Sequence, residues 1–77
     1  MSRIGKILAH NISMLRKQRG WTQDNLAEYA GLSLPGIQGL ESQRRWPSRE
    51  TIAKLAEALE VTEERLVNYR PKKAFAF

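Results

Sequence analysis

The apolar positions of the first eighteen residues fall on one stripe. Ile4, Leu8, Ile12 and Leu15 recur every three or four residues, the period of a helix with one buried face. This predicts a helix over about residues 3–18. The chain then repeats one start signal: Trp21-Thr22 leads to Leu26, Leu32-Ser33 to Ile37, Pro47-Ser48 to Ile52, and Val61-Thr62 to Leu66. In each, a hydroxyl can accept a hydrogen bond from the free amides of a first helical turn. In each, the apolar residue before the cap meets another five positions later, the spacing of a hydrophobic staple. One such match arises by chance, whereas a succession of them sets boundaries. Helices are therefore expected over about 23–30, from 34 or 35 to 42, over 49–59 and over 63–69. Gly31 can stop the second by turning left-handed, and Glu63 and Glu64 place acid where the dipole of the last favours it. Helix four buries Ile52, Leu55, Ala56 and Leu59, and helix five offers Leu66 and Val67. Only a faint Ala74-Phe75-Ala76-Phe77 alternates as a strand would. The fold class is all-α.

The third helix is the weakest of the set. Proline in a first turn is tolerated because its missing N–H would have been unpaired there. Pro35 nevertheless pushes Leu34 out of the helical region, so the helix can begin at Pro35 itself. Gly36 and Gly39 each weaken it by about 1 kcal/mol relative to alanine. Its neighbours must hold it through Ile37 and Leu40.

Length and composition narrow the class. The 77 residues make one domain, expected over 1–69, followed by a basic tail over 70–77. With 42% apolar residues, the chain is globular. It has no cysteine and a single histidine, His10, which reads as ordinary surface, so neither a disulfide nor a zinc site can form. No metal or cofactor is expected. No apolar run approaches the roughly 20 residues that span a bilayer, and the opening MSRIGKIL lacks the apolar core of a signal peptide. A cytoplasmic protein with no membrane attachment is expected.

The net charge is +5, and its layout alternates. Residues 1–21 carry five bases and no acid, 22–41 sum to −3, 42–54 to +3, 55–69 to −3 and 70–77 to +3. Basic segments could grip a polyanion while acidic ones face away; on charge alone, ordinary solvated faces explain the layout equally well. An enzyme finds little support: there is no cysteine, no paired acid at a plausible pocket and no phosphate loop. No aromatic platform of the kind single-stranded RNA bases stack on is evident.

Spacing between Gln23 and Ser42 carries the rest. Leu26, Ala30, Ile37 and Leu40 point into one core, Ala27 is small where two helices cross, Gly31 turns the chain and Leu32 plugs the space beneath it. The stretch QDNLAEYAGLSLPGIQGLES resembles the helix-turn-helix of the lambdoid phage repressor and Cro family. LRKQRGWTQDNLA and GLESQRRWPSRETIAKLAEALEVTEERL extend the resemblance over about residues 8–67. It implies a compact five-helix lambda repressor-like domain with helices two and three as the helix-turn-helix. Helix three would lie in the major groove, helix two would cross the backbone, and dimers would bind half-sites one turn apart.

Residue roles follow from the resemblance by position. Gln23 matches a residue that contacts phosphate and braces helix three. Arg16 and Glu41 match an ion pair joining helix one to helix three, the alternative being Arg16 on phosphate. Ser42, Arg44 and Arg45 match the start of a phosphate-binding loop, with Lys17 and Arg19 as further backbone candidates. The family often has glycine where Gln43 stands, which leaves the loop's path open. Base readout falls to Ser33, Leu34, Pro35 and Gln38, and the dimer surface to Leu59, Val61, Leu66, Val67 and Tyr69. The tail could be a dimer arm, a DNA-tracking arm or an unstructured terminus. Trp21 is expected as a staple residue. Trp46 could stack on a sugar, wedge into a groove or cover the core between helices one and four; large aromatics are usually structural, so packing is expected.

The function implied is sequence-specific binding of a palindromic double-stranded operator by a small dimeric transcription regulator, of repressor or restriction-modification-controller type. Two other readings are an antitoxin that binds its own operator and masks a toxin, and the DNA-binding fragment of a longer regulator. A toxin or an RNA polymerase as protein partner is left open. One oddity persists. The outward positions of helix three offer few polar groups, so readout should lean on thymine methyls and DNA shape, with Gly36 and Gly39 letting the backbone approach the bases.

Overall fold

A computed structural model describes residues 3–68, with side chains from residue 5 onward. Tyr69 and the tail 70–77 lie outside the described residues. Five helices follow one another: α1 Arg3–Gln18, α2 Gln23–Ala30, α3 Leu34–Glu41, α4 Arg49–Leu59 and α5 Glu63–Val67. Among the described residues there is no strand.

The hydroxyl caps form as the sequence pattern requires. Thr22, Ser33, Ser48 and Thr62 each accept from the backbone N–H three residues on. Asn25 returns a side-chain bond to the Thr22 N–H, completing a capping box. Pro35 occupies the first turn of α3, which starts one residue earlier, at Leu34.

The helix ends share a device that the start signals alone did not reveal. Gly20, Gly31, Gln43 and Glu60 all take left-handed backbone, with φ of 72°, 69°, 66° and 58°. The next residue closes each turn with a long backbone bond: Trp21 N–H to Arg16 O, Leu32 to Ala27, Arg44 to Gly39 and Val61 to Ala56, at 2.8–3.0 Å. These are Schellman closures, in which a hydrophobic residue usually follows the left-handed one. Trp21, Leu32 and Val61 fit that rule, and each packs against the core. Each is at once the plug that ends one helix and the staple that begins the next. Only after α3 is the plug replaced by a cation, Arg44, and there the chain runs out into a longer loop before α4.

The core sits between all five helices. α1 gives Leu8, Ile12 and Leu15, α2 gives Leu26, Ala27 and Ala30, and α3 gives Ile37 and Leu40. Leu55, Ala56 and Leu59 of α4 and Leu66 of α5 complete it. Leu59 and Leu66 are 0% exposed, which corrects their expected place on a dimer surface: both are fully occupied in closing this core. Ile52 sits at its margin, half-buried.

Helix α5 ends two residues earlier than the pattern predicted, with Asn68 already extended. The cause is a buried amide. Asn11, 2% exposed on α1, donates through Nδ2 to the carbonyls of Leu66 at 2.7 Å, Asn68 at 3.1 Å and Arg65 at 3.3 Å. Acceptors that a further turn would have satisfied are met from the side, so the helix can stop.

Candidate nucleic-acid interface

Helix α3 is too poor in helix formers to stand alone, and its neighbours hold it. Ile37 and Leu40 anchor it in the core. At its far end the Glu41 carboxylate receives Arg16 Nε at 2.8 Å, Arg16 Nη2 at 3.1 Å and Gln23 Nε2 at 3.1 Å. One carboxylate therefore ties α1, α2 and α3 together. Arg16 also donates from Nη1 to the Trp21 carbonyl at 2.8 Å. The paired side chains of Arg16 and Glu41 are only 10% and 8% exposed, so Arg16 has no free edge to offer a phosphate.

The outward side of α3 is Ser33, Leu34, Pro35 and Gln38. Ser33, Pro35 and Gln38 are exposed, while Leu34 is half-buried. The Ser33 oxygen already accepts from the Gly36 N–H at 3.1 Å, leaving its hydroxyl proton for a ligand. The loop after α3 lies directly beside this face. Its turn is set by Gln43, whose backbone is left-handed at φ 66°, a conformation that glycine adopts most readily. The Gly39 carbonyl accepts from Arg44 N at 2.8 Å, Arg45 N at 3.2 Å and Ser42 Oγ at 3.3 Å. Arg44 Nε in turn donates to Ser42 Oγ at 3.1 Å. Residues 42–46 contain no acid and are all exposed, so the loop presents an uncompensated positive edge.

Three placements differ from the sequence expectation. Trp46 is 69% exposed and does not cover the core between α1 and α4; the Gln43 turn throws the loop outward and carries the indole with it. Arg19 is not free for DNA. Its guanidinium donates to the Leu59 carbonyl, lies 3.6 Å from the Glu60 carboxylate and sits 5.5 Å above the Trp21 ring. That ring packs on Tyr29 with centroids 4.6 Å apart, and the whole group belongs to the junction of α1, α2 and α4. Gly39, finally, does not bare its backbone to a ligand, because the Arg45 side chain lies over it.

Lys17 is exposed at the end of α1. Val61 and Val67 are half-buried at the α4–α5 end and pack on the edge of the core. Sequence reading missed two residues. Asn11 stands within the apolar stripe between Leu8 and Leu15, a polar residue on a buried face, and that signal was available. The seat that Gly39 makes for Arg45 depends on the loop's return path and left no local trace. Among the described residues, no cluster of metal-binding side chains occurs, and no helix is long and apolar enough to cross a membrane.

Comparison with known proteins places these features in context. The model of the family described as Helix-turn-helix matches residues 12–66. Over 62 residues the chain is 36% identical to an uncharacterized HTH-type transcriptional regulator of Sinorhizobium fredii, y4dJ, with 80% of each chain covered. Over 54 residues it is 44% identical to the HTH-type transcriptional repressor RghR of Bacillus subtilis, covering 69% of this chain and 40% of the repressor. Among solved structures it is similar to the restriction-modification controller protein C.AhdI from Aeromonas hydrophila. The TM-score there is 0.77 at 31% identity, covering 80% of this chain and 94% of the controller.

Proposed function

The chain belongs to the helix-turn-helix family of DNA-binding transcription regulators, and we propose that it acts as a homodimer reading a palindromic operator. In that reading α3 enters the major groove and the two half-sites lie about 34–36 Å apart. The observation that carries it is the pairing of an exposed Ser33–Pro35–Gln38 face with an acid-free loop on one rigidly tied helix. Gln38 suits adenine, and Leu34 and Pro35 suit thymine methyls. Arg44, Ser42, Lys17 and the free edge of Gln23 serve the sugar-phosphate backbone, which supplies affinity and register without sequence information. The second copy docks through the α4–α5 end. With Leu59 and Leu66 committed to the core, Val61 and Val67 are, among the described residues, the valines left partly exposed at that end.

The similarity to a repressor and to a restriction-modification controller supports a regulator of repressor or controller type. Selection from randomised duplex DNA, followed by footprinting at two salt concentrations, tests the proposal. A palindromic site should emerge, protected on one face of the duplex and released as salt rises. If no palindrome is enriched, the reading fails.

A further inference from the structure

Helix α3 carries a glycine at a position that nothing in the helix requires. Gly39 has ordinary right-handed backbone, unlike Gly20 and Gly31, and it is buried although it lies beside the exposed Gln38. What buries it is Arg45. A Cβ built on Gly39 would stand 2.6 Å from Arg45 Cγ, 2.7 Å from Cδ and 2.9 Å from Nε. Ordinary carbon contacts are about 3.5–4.0 Å, so the middle of the arginine stem fills the space that any side chain would need. The stem is held there by its own backbone, since Arg44 N–H and Arg45 N–H both bond the Gly39 carbonyl.

The direction of the stem matters. A helical Cβ points toward the helix N-terminus, so the stem crosses Gly39 on the side of Pro35 and Gln38. These residues line one cleft of ≈ 290 Å³ with Gly39, Arg44 and Arg45. Arg45 therefore shares its cleft with the outward residues Pro35 and Gln38 of α3. Resting on the reading of α3 as the groove-entering helix, we propose that Gly39 is a specificity-determining residue that touches no DNA. It seats Arg45 so that the guanidinium joins Gln38 as a base-reading group, with guanine as its target. A guanidinium fork presents two donors in the geometry of guanine O6 and N7. This moves Arg45 from the phosphate role suggested by its loop position, and it supplies the polar reading power that α3 lacks in its own sequence.

The variant Gly39→Ala separates this role from charge and from folding. It keeps every cation, and alanine is the better helix former. Arg45 is exposed, and its side chain can rotate into solvent at less cost than the helix backbone can shift, so it is Arg45 that must swing away. In the free protein, the Arg45 Nε–Hε relaxation seen by NMR should change from ordered to mobile in Gly39→Ala, with the helical signal intact. On the selected site, wild type should prefer one guanine·cytosine pair over the other pairs by roughly 5- to 150-fold, the range a bidentate contact supplies. That preference should vanish in Gly39→Ala and in Arg45→Ala alike, and the double variant should lose nothing more. Gly39→Ala should still bind unrelated DNA as wild type does. Wild-type discrimination retained by Gly39→Ala, or equal weakening on every sequence in Arg45→Ala, overturns the proposal. If wild type selects no sequence at all, the groove-reading assignment of α3 falls together with it.

Discussion

Glu41 and Asn11 show how single polar side chains fix this domain. A carboxylate 8% exposed survives burial because three N–H groups from two other helices meet it. Removing one partner of a buried pair leaves the other charge uncompensated, at a cost of about 3–5 kcal/mol. Glu41→Ala should therefore lose about that much in urea denaturation. The compound change Arg16→Met with Glu41→Leu should recover a good part of it. Asn11→Ala leaves the carbonyls of Leu66 and Asn68 without their donor, and we expect a loss of about 1–3 kcal/mol. Against the roughly 5–15 kcal/mol that holds a typical domain, either is a large fraction. A loss under 0.5 kcal/mol in Asn11→Ala would mean that water replaces the amide freely.

At the scale of elements, the connections govern more than the helices do. Gly31 sits at φ 69°, where a side chain costs about 1–2 kcal/mol, so Gly31→Ala should lower stability by that amount in chemical denaturation. Gln43 and Glu60 bear the same strain with side chains present. Replacing either by glycine relieves it while adding chain entropy to the unfolded state, for a net gain of about 0.5–1 kcal/mol. The 3.6 Å contact of Glu60 with Arg19 is too exposed to offset this. A fall in the denaturation midpoint of Gln43→Gly would show that the turn is not strained. The helix starts were legible in the sequence because a cap and a staple are local: hydroxyl, apolar residue and spacing all lie within six positions. The starts of α2 to α5 were readable for that reason and α1 from its apolar stripe, and the partition of Leu26, Ile37 and Leu55 into the core followed from period alone. The exposure of Trp46 and the arginine over Gly39 were not, since both follow from the path of the Gln43 turn, nor was the early end of α5, which depends on Asn11 of α1. Arg19 shows the same limit. Its charge was plain, but its partners lie forty residues away on α4.

For the whole molecule, charge and association decide behaviour. With a net charge of +5 and an acid-free loop beside α3, binding to any duplex should weaken steeply with salt. Arg44→Ala should lower affinity alike on all sequences and reduce the slope of log affinity against log salt by about one; a changed sequence preference instead would place Arg44 on a base. Val67→Asp should shift the protein toward monomer in sedimentation and weaken operator binding, with thermal unfolding as the control for the fold. An unchanged sedimentation profile at concentrations where wild type pairs would move the dimer surface elsewhere. The three-way grip on Glu41 bears on the heat and speed of association. Because α3 is already tied to α1 and α2 in the free protein, docking need not order it. The heat-capacity change should then match the apolar area covered, with no added contribution from coupled folding. Encounter should be limited by orientation and salt, and tolerance of an imperfect operator should be set by the loop over 42–46, the part of this surface not bound into the core.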